Sequence, residues 1–327
     1  MAKSRDHGGN LDAAMARWGG APEDWLDLST GINPSPYPLP PIPAASWAVL
    51  PRKADMVRLN RIAAEAYATP ARVIAMNGAQ GAIQLVPGLR RPGRAKVLAP
   101  TYNEHAAALR ACGWQVDEVN KVADLAGADL AVVVNPNNPD GRRTAPHTLH
   151  QLAAHVGLLI IDESFADPES ELSTAPQIDD ETIIVIRSFG KFYGLAGLRL
   201  GFALANGAVA ERLAERAGPW PVSGPAIDVA CHALADRDWR ATTTARLTAG
   251  AARLDGLARQ AGWDMIGGTS LFRTYATLDA TTTQEALARH RVWSRIFPYS
   301  DTWIRLGLPD AARWPQFETA IAAAACR

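Results

Sequence analysis

The 327-residue chain has few cysteines, no net charge and no long apolar run. The three cysteines, Cys112, Cys231 and Cys326, are odd in number, far apart and without metal-ligand spacing. A disulfide framework and a cysteine-built metal site are therefore not expected, and reduced thiols in a cytoplasmic protein are. Lys plus Arg equals Asp plus Glu, at 33 each. Such a chain has no diffuse field with which to bind nucleic acid or an anionic membrane non-specifically, so any anion must be caught by local charges. No stretch approaches the roughly 18 apolar residues of a transmembrane helix. Met1–Asn10 is polar and lacks an apolar signal core. No internal repeat, low-complexity linker or metal-binding cluster is visible.

What is present is alternation. Residues 1–50 read as an irregular arm holding one short helix, Leu11–Trp18, and a Pro-rich run over 34–43 that suits neither helix nor central strand. A helix is expected over 55–67. Short β-branched runs at 96–99, 130–134, 158–161 and 182–186 are separated by helical patterns at 79–86, 104–112 and 146–156. That order predicts right-handed crossovers and a mostly parallel α/β sheet. A further strand is expected from Arg199 to Leu204. Beyond it lie helices at 208–217, 224–236 and 240–261, strands at 271–278 and 302–306, and a closing helix at 311–325. We expect a large domain over 51–220 and a smaller α+β domain over 221–327, onto which the arm folds.

The segment with the most chemistry runs Ser188-Phe189-Gly190-Lys191-Phe192-Tyr193-Gly194-Leu195-Ala196-Gly197-Leu198-Arg199-Leu200-Gly201-Phe202. It follows directly on a buried strand, where α/β folds bind ligands. A desolvated lysine amine is nucleophilic toward an aldehyde, glycines let backbone approach a flat ligand, and an arginine forks onto phosphate. A lone S-x-x-K would read as a surface loop; the full string does not. Asp162 ends the strand Leu158–Ile161, Asn138 sits in the turn Asn135–Gly141, and Gly78-Ala79-Gln80 opens a helix.

The lysine string resembles that of class I/II, fold-type I enzymes dependent on pyridoxal 5′-phosphate (PLP), and the likeness runs from about residue 7 to 307. The resemblance implies that Lys191 binds the PLP aldehyde and that Asp162 pairs with the pyridine nitrogen. It further implies that Tyr102 stacks on the ring and Asn138 bonds its 3′ oxygen. Gly78, Ala79, Gln80, Ser188 and Arg199 would cradle the phosphate, and Arg305 would fork onto the substrate carboxylate. Read as residues alone, Asp162 is equally a strand-end carboxylate, Tyr102 a core tyrosine and Arg305 a surface arginine. The fold implied is a large domain with a mostly parallel sheet flanked by helices, plus a small C-terminal domain, assembled as a homodimer.

Within that family the chain resembles threonine-phosphate decarboxylases and histidinol-phosphate aminotransferases. Two departures separate it from the aminotransferases. Phe165 replaces a tyrosine whose hydroxyl reaches the cofactor, and Leu50-Pro51 replaces a Tyr-Pro pair whose tyrosine crosses the dimer, leaving Arg52 as a substitute. His7-Gly8-Gly9-Asn10 and Leu28–Pro34 resemble the opening of decarboxylases of cobalamin biosynthesis. The expected activity is decarboxylation of L-threonine O-3-phosphate. A histidinol-phosphate-type aminotransferase and a PLP-binding protein without turnover stay open, although a regulator would be expected to carry a DNA-binding segment ahead of this fold. A substrate with both carboxylate and phosphate needs two anion sites besides that for PLP. Arg305 is the candidate for the first; His7, Gly8, Gly9, Asn10, Gly31 and Arg273 are candidates for the rest, against the alternative that the arm only packs.

Overall fold

Strands buried on both faces must be apolar throughout, and the β-branched runs become such strands. A computed structural model describes residues 7–325; Cys326 and residues 1–6 of the arm lie outside them. The chain divides into two compact units, one of Pro36–Asn138 with Arg142–Arg240, the other of residues 7–35, Pro139–Gly141 and 241–325.

Among the described residues the larger unit holds a seven-stranded sheet. Its strands are β1 (Arg72–Asn77), β2 (Arg94–Leu98), β3 (Gln115–Val119), β4 (Leu130–Val134), β5 (Leu159–Asp162), β6 (Ile183–Ser188) and β7 (Leu200–Ala205). They are ordered β1-β7-β6-β5-β4-β2-β3. β2 to β6 run parallel, and β7 is antiparallel to both its neighbours. This is the expected α/β class. β4 to β7 are buried along their whole length. Two strands carry no clear signal in the sequence. β3 is an edge strand, polar and half exposed, and β1 has only four buried residues between an arginine and an asparagine. The crossover helices include α1 (Gly78–Leu85) and α2 (Asn103–Ala111). The helix Gly224–Ala235 also belongs to this unit, with Asp228 ion-paired to Arg58 at 3.0 Å.

In the smaller unit an antiparallel sheet is ordered Arg295–Phe297, Ser300–Gly307, Phe272–Ala276, Asp264–Thr269. Leu26–Asp27 pairs in parallel with Val292–Trp293. The helix Ala280–Arg289 is absent from the sequence reading because Thr281–Thr283 are poor helix formers. Its start is set by Asp279, whose side chain accepts from the Thr282 N–H at 2.6 Å. Among the described residues, no helix is long and apolar enough to cross a membrane, and no cluster of three or more His, Cys, Asp or Glu side chains is placed to hold a metal ion.

One buried charge cluster joins the ends of β5 and β6. Arg187 donates to Glu163 at 2.8 Å and to Asp167 at 2.9 Å, with all three residues buried. Glu163 also accepts from the Ser173 hydroxyl and the Thr174 N–H, and the guanidinium lies 4.5 Å over the Tyr67 ring. Side chains alternate along a strand, so Arg187 points to the face opposite Ser188. The cluster ties together two strand ends whose other faces carry Asp162 and Ser188. Removing the cation leaves two carboxylates buried and unpaired, the costly way to break a buried pair. Arg187→Met is expected to cost about 3–5 kcal/mol in urea denaturation at pH 7; a loss below about 1 kcal/mol would show that the cluster does not hold the strand ends.

Candidate active site

The C-terminal ends of β4, β5 and β6 open on a cavity of about 190 Å³. Its lining includes Gly78, Ala79, Gln80, Tyr102, Asn138, Asp162, Ser188, Lys191 and Arg199. Every cofactor-site residue expected from the sequence is thus brought to one place within the larger unit. Phe165, Ser164 and Gly190 complete much of the remaining wall.

Asp162 is 2% exposed. Its Oδ1 accepts from the Ser164 N–H at 2.9 Å and from the Ser164 hydroxyl at 2.5 Å. Its Oδ2 lies 2.8 Å from His105 Nε2. Burial alone pushes the carboxyl up, but the hydrogen bonds from His105 and Ser164 outweigh it and hold the acid below its ordinary value of 3.8. With the carboxylate ionised, His105 Nε2 is a donor. A buried carboxylate so held is a fixed negative end, fitted to pair with a protonated ring nitrogen. Neither partner was singled out from the sequence. Ser164 is legible as an Asx turn, since Asp162 bonds the N–H two residues on. His105 is not, because its bond to Asp162 spans 57 residues.

The same lining gathers groups suited to an anion. Arg199 does not begin β7 as expected; it precedes it in the left-handed region, at φ 53° and ψ 46°. A non-glycine residue holds that conformation only where its surroundings fix it. Here it turns the guanidinium back over Gly78, where an added Cβ would stand 3.0 Å from Nη2. Gly78 has φ +69° and starts α1. Gly201 of β7 packs so closely on α1 that a Cβ there would press into the Gly78 and Ala79 backbone. Ser188 ends β6 beside them. Helix-start N–H groups, a hydroxyl and a guanidinium together make a phosphate cradle.

The lining also holds the amine and the aromatic ring. Lys191 lies in the turn Phe189–Phe192 after β6, its Nζ 5.5 Å from the Phe165 ring centroid. Phe165 is buried and has no hydroxyl to offer. Tyr102 precedes α2 and meets His105 edge-to-face, with centroids 6.2 Å apart at 84°. A phosphate cradle, a buried carboxylate, a facing aromatic and an amine match the four chemical features of PLP: phosphate, ring nitrogen, flat ring and aldehyde.

In the smaller unit, Arg305 is 6% exposed, and its Nη2 donates to the Ser29 carbonyl at 2.7 Å. Burial, with Arg295 nearby, lowers its pKa to about 10. The Ser29 hydroxyl accepts from the Gly9 N–H at 2.7 Å and donates to Asp27. Gly8 lies against the Ser29 carbonyl, where a Cβ would not fit. The arm's glycines and Arg305 therefore meet at Ser29, which the sequence reading passed over. His7 is exposed and Gly31 buried. Asn10 caps the helix Leu11–Trp18. Arg273 is not brought beside Arg305. The cross-strand partner of Arg305 is Thr274, so Arg273 projects from the other face, where it pairs with Asp255 at 3.0 Å.

Residues 55–313 match the family model described as aminotransferase class I and II. The chain is 44% identical over 316 residues to a threonine-phosphate decarboxylase of Sinorhizobium sp, covering 94% of each chain. It is 42% identical over 326 residues to that of Pseudomonas aeruginosa, covering 97% of each. In fold it is similar to the histidinol-phosphate aminotransferase of Sinorhizobium meliloti, solved with PLP, at a TM-score of 0.84 and 19% identity over 99% of this chain and 96% of that one. With the family model spanning most of its length and full-length relatives above 40% identity, the chain belongs to the class I and II aminotransferase family.

Proposed function

We propose that the protein decarboxylates L-threonine O-3-phosphate to (R)-1-aminopropan-2-ol phosphate, the step used in cobalamin biosynthesis, with PLP held at Lys191. One observation carries the reading. The family model begins at residue 55, whereas the likeness to a decarboxylase covers 97% of the chain and so takes in most of the arm. Within the arm, Gly8 and Gly9 lie against Ser29, the residue that Arg305 also bonds, which gives that extra likeness a physical basis. We place the protein in the cytoplasm on the ground of its few, scattered cysteines.

PLP, when bound, supplies an aldehyde that captures an amine and a conjugated ring that takes up the electron pair of a bond broken at Cα. The chain's residues do the rest. Lys191 would hold the cofactor, and its amine would carry a proton to the substrate Cα. Asp162, ionised and fixed by His105 and Ser164, keeps the ring nitrogen protonated. Tyr102 would face the ring and fix its plane, and Asn138 would bond the 3′ oxygen. Ala79, Gln80, Ser188 and Arg199 hold the cofactor phosphate. Arg305 would take the substrate carboxylate, and the arm, with His7 as a donor, would contribute to the substrate phosphate site. Arg273, facing away and paired, is left out of it.

We further propose a homodimer. Leu39, Trp47, Val49, Leu50 and Val57 of the larger unit are 59–69% exposed, a density of large apolar groups that a second copy would cover. Arg52, whose guanidinium is paired with Asp55 at 3.0 Å, is the candidate for the contact across it.

Carboxyl-labelled threonine phosphate is expected to release CO₂ with no 2-oxoacid present. Transamination of histidinol phosphate with 2-oxoglutarate, and no CO₂, would replace this reading with the aminotransferase. Asp162→Asn should keep PLP bound yet lose on the order of 100-fold in kcat; near-normal turnover would mean another group pairs with the ring nitrogen. Deleting residues 1–10 should lower kcat/KM for threonine phosphate at least about tenfold with PLP affinity unchanged, and unaltered kinetics would remove the arm from the site. Sedimentation should give a dimer that Trp47→Asp with Leu50→Asp splits; a fully active wild-type monomer would refute the assembly.

A further inference from the structure

Tyr102 is held at two points, and one of them leads to a buried acid outside the cavity lining. Its hydroxyl donates to Gln80 Oε1 at 3.2 Å, and Gln80 Nε2 donates to Glu104 Oε2 at 3.1 Å. Glu104 is 5% exposed and stands in the first turn of α2, next to His105. Two successive residues of one helix turn therefore reach the site. His105 bonds Asp162, and Glu104 bonds Gln80, both of them lining residues.

The chain has a direction that follows from donor and acceptor types. A carboxylate only accepts, so the amide of Gln80 must present its NH₂ to Glu104. Its carbonyl then faces the phenol, which is left with the donor role. Both ends of the Gln80 amide are thereby used. The Tyr102 ring is pinned at its hydroxyl by this chain and at its edge by His105. On our functional reading, Tyr102 sets the plane of the electron sink. The bond that breaks at Cα is the one held perpendicular to that plane.

We propose that Glu104 is a positioning residue for reaction specificity: through Gln80 it fixes the tilt of Tyr102 and so favours loss of CO₂ over loss of the Cα proton. The inference rests on the decarboxylase reading for its substrate and on the hydrogen-bond chain for its logic. Glu104→Gln keeps shape and volume but removes the group that orients the Gln80 amide. Tyr102→Phe keeps the ring and removes the hydroxyl through which Glu104 acts.

In the PLP-loaded enzyme, Glu104→Gln is expected to lower kcat for CO₂ release about tenfold, the scale of one charge-assisted hydrogen bond, with KM for threonine phosphate little changed. Abortive transamination, in which the Cα proton is lost, the carboxylate is kept and the amino group passes to the cofactor, should rise by a similar factor per CO₂ released, read as the phosphorylated 2-oxo acid formed with the cofactor's amine form. The visible circular dichroism of the bound cofactor should change, since it reports the tilt of the ring against its surroundings. Tyr102→Phe should reproduce these effects, and the double variant should show no more than either alone. Multiplicative effects in the double variant, or an unchanged partition and dichroism in Glu104→Gln with thermal stability retained, would overturn the proposal. If the wild-type enzyme released no CO₂ from threonine phosphate, the substrate reading would fail by itself. The dichroism and its non-additivity would still decide whether Glu104 acts through Tyr102.

Discussion

The structure depends on keeping one carboxylate ionised at the end of a buried strand. Asp162 has lost nearly all contact with water, and a carboxylate so placed is neutralised unless donors compensate it. Three hydrogen bonds do so, two from Ser164 and one from His105. The Ser164 bonds come from the turn that ends β5. The His105 bond requires α2 to lie against the sheet, and that in turn places Tyr102 and Glu104. The position of the aromatic wall thus follows from the need to solvate a single buried charge.

A second constraint is the reversal after β6. The chain leaves Ser188, makes the short turn that carries Lys191, and returns antiparallel as β7. The return requires a left-handed residue at Arg199 and a glycine at 201, against the start of α1. The same reversal therefore brings the amine, the hydroxyl, the guanidinium and the helix N–H groups to one cavity. Below it, on the other face of β6, Arg187 joins the strand ends through Glu163 and Asp167. The face that bears the chemistry is open, and the opposite face is closed by charge pairing.

Much of this was legible in the sequence. The β-branched runs marked β2 and β4 to β6, and the lysine string marked the reversal. The roles proposed for Tyr102, Asn138 and Arg305 rest on resemblance, since each residue alone reads as readily, or more readily, as structural. Hidden were features set by distant contacts. His105 and Glu104 find partners 57 and 24 residues away, beyond the reach of any local pattern. Arg199 looked like a strand residue because its neighbours are apolar, yet its backbone obeys the turn. Arg305 and Arg273 were candidates for the carboxylate and phosphate sites of one substrate, and the pairing of their strands puts them on opposite faces. β3 was missed because an edge strand need not be apolar.

The account stands on Lys191 as the point of attachment. The most direct measurement is borohydride reduction of the PLP-loaded protein followed by peptide mapping of the fluorescent pyridoxyl label. The account predicts one labelled site, Lys191, and no reducible label in Lys191→Ala. Stoichiometric label on Lys53, Lys96 or Lys121 in place of Lys191 would contradict it.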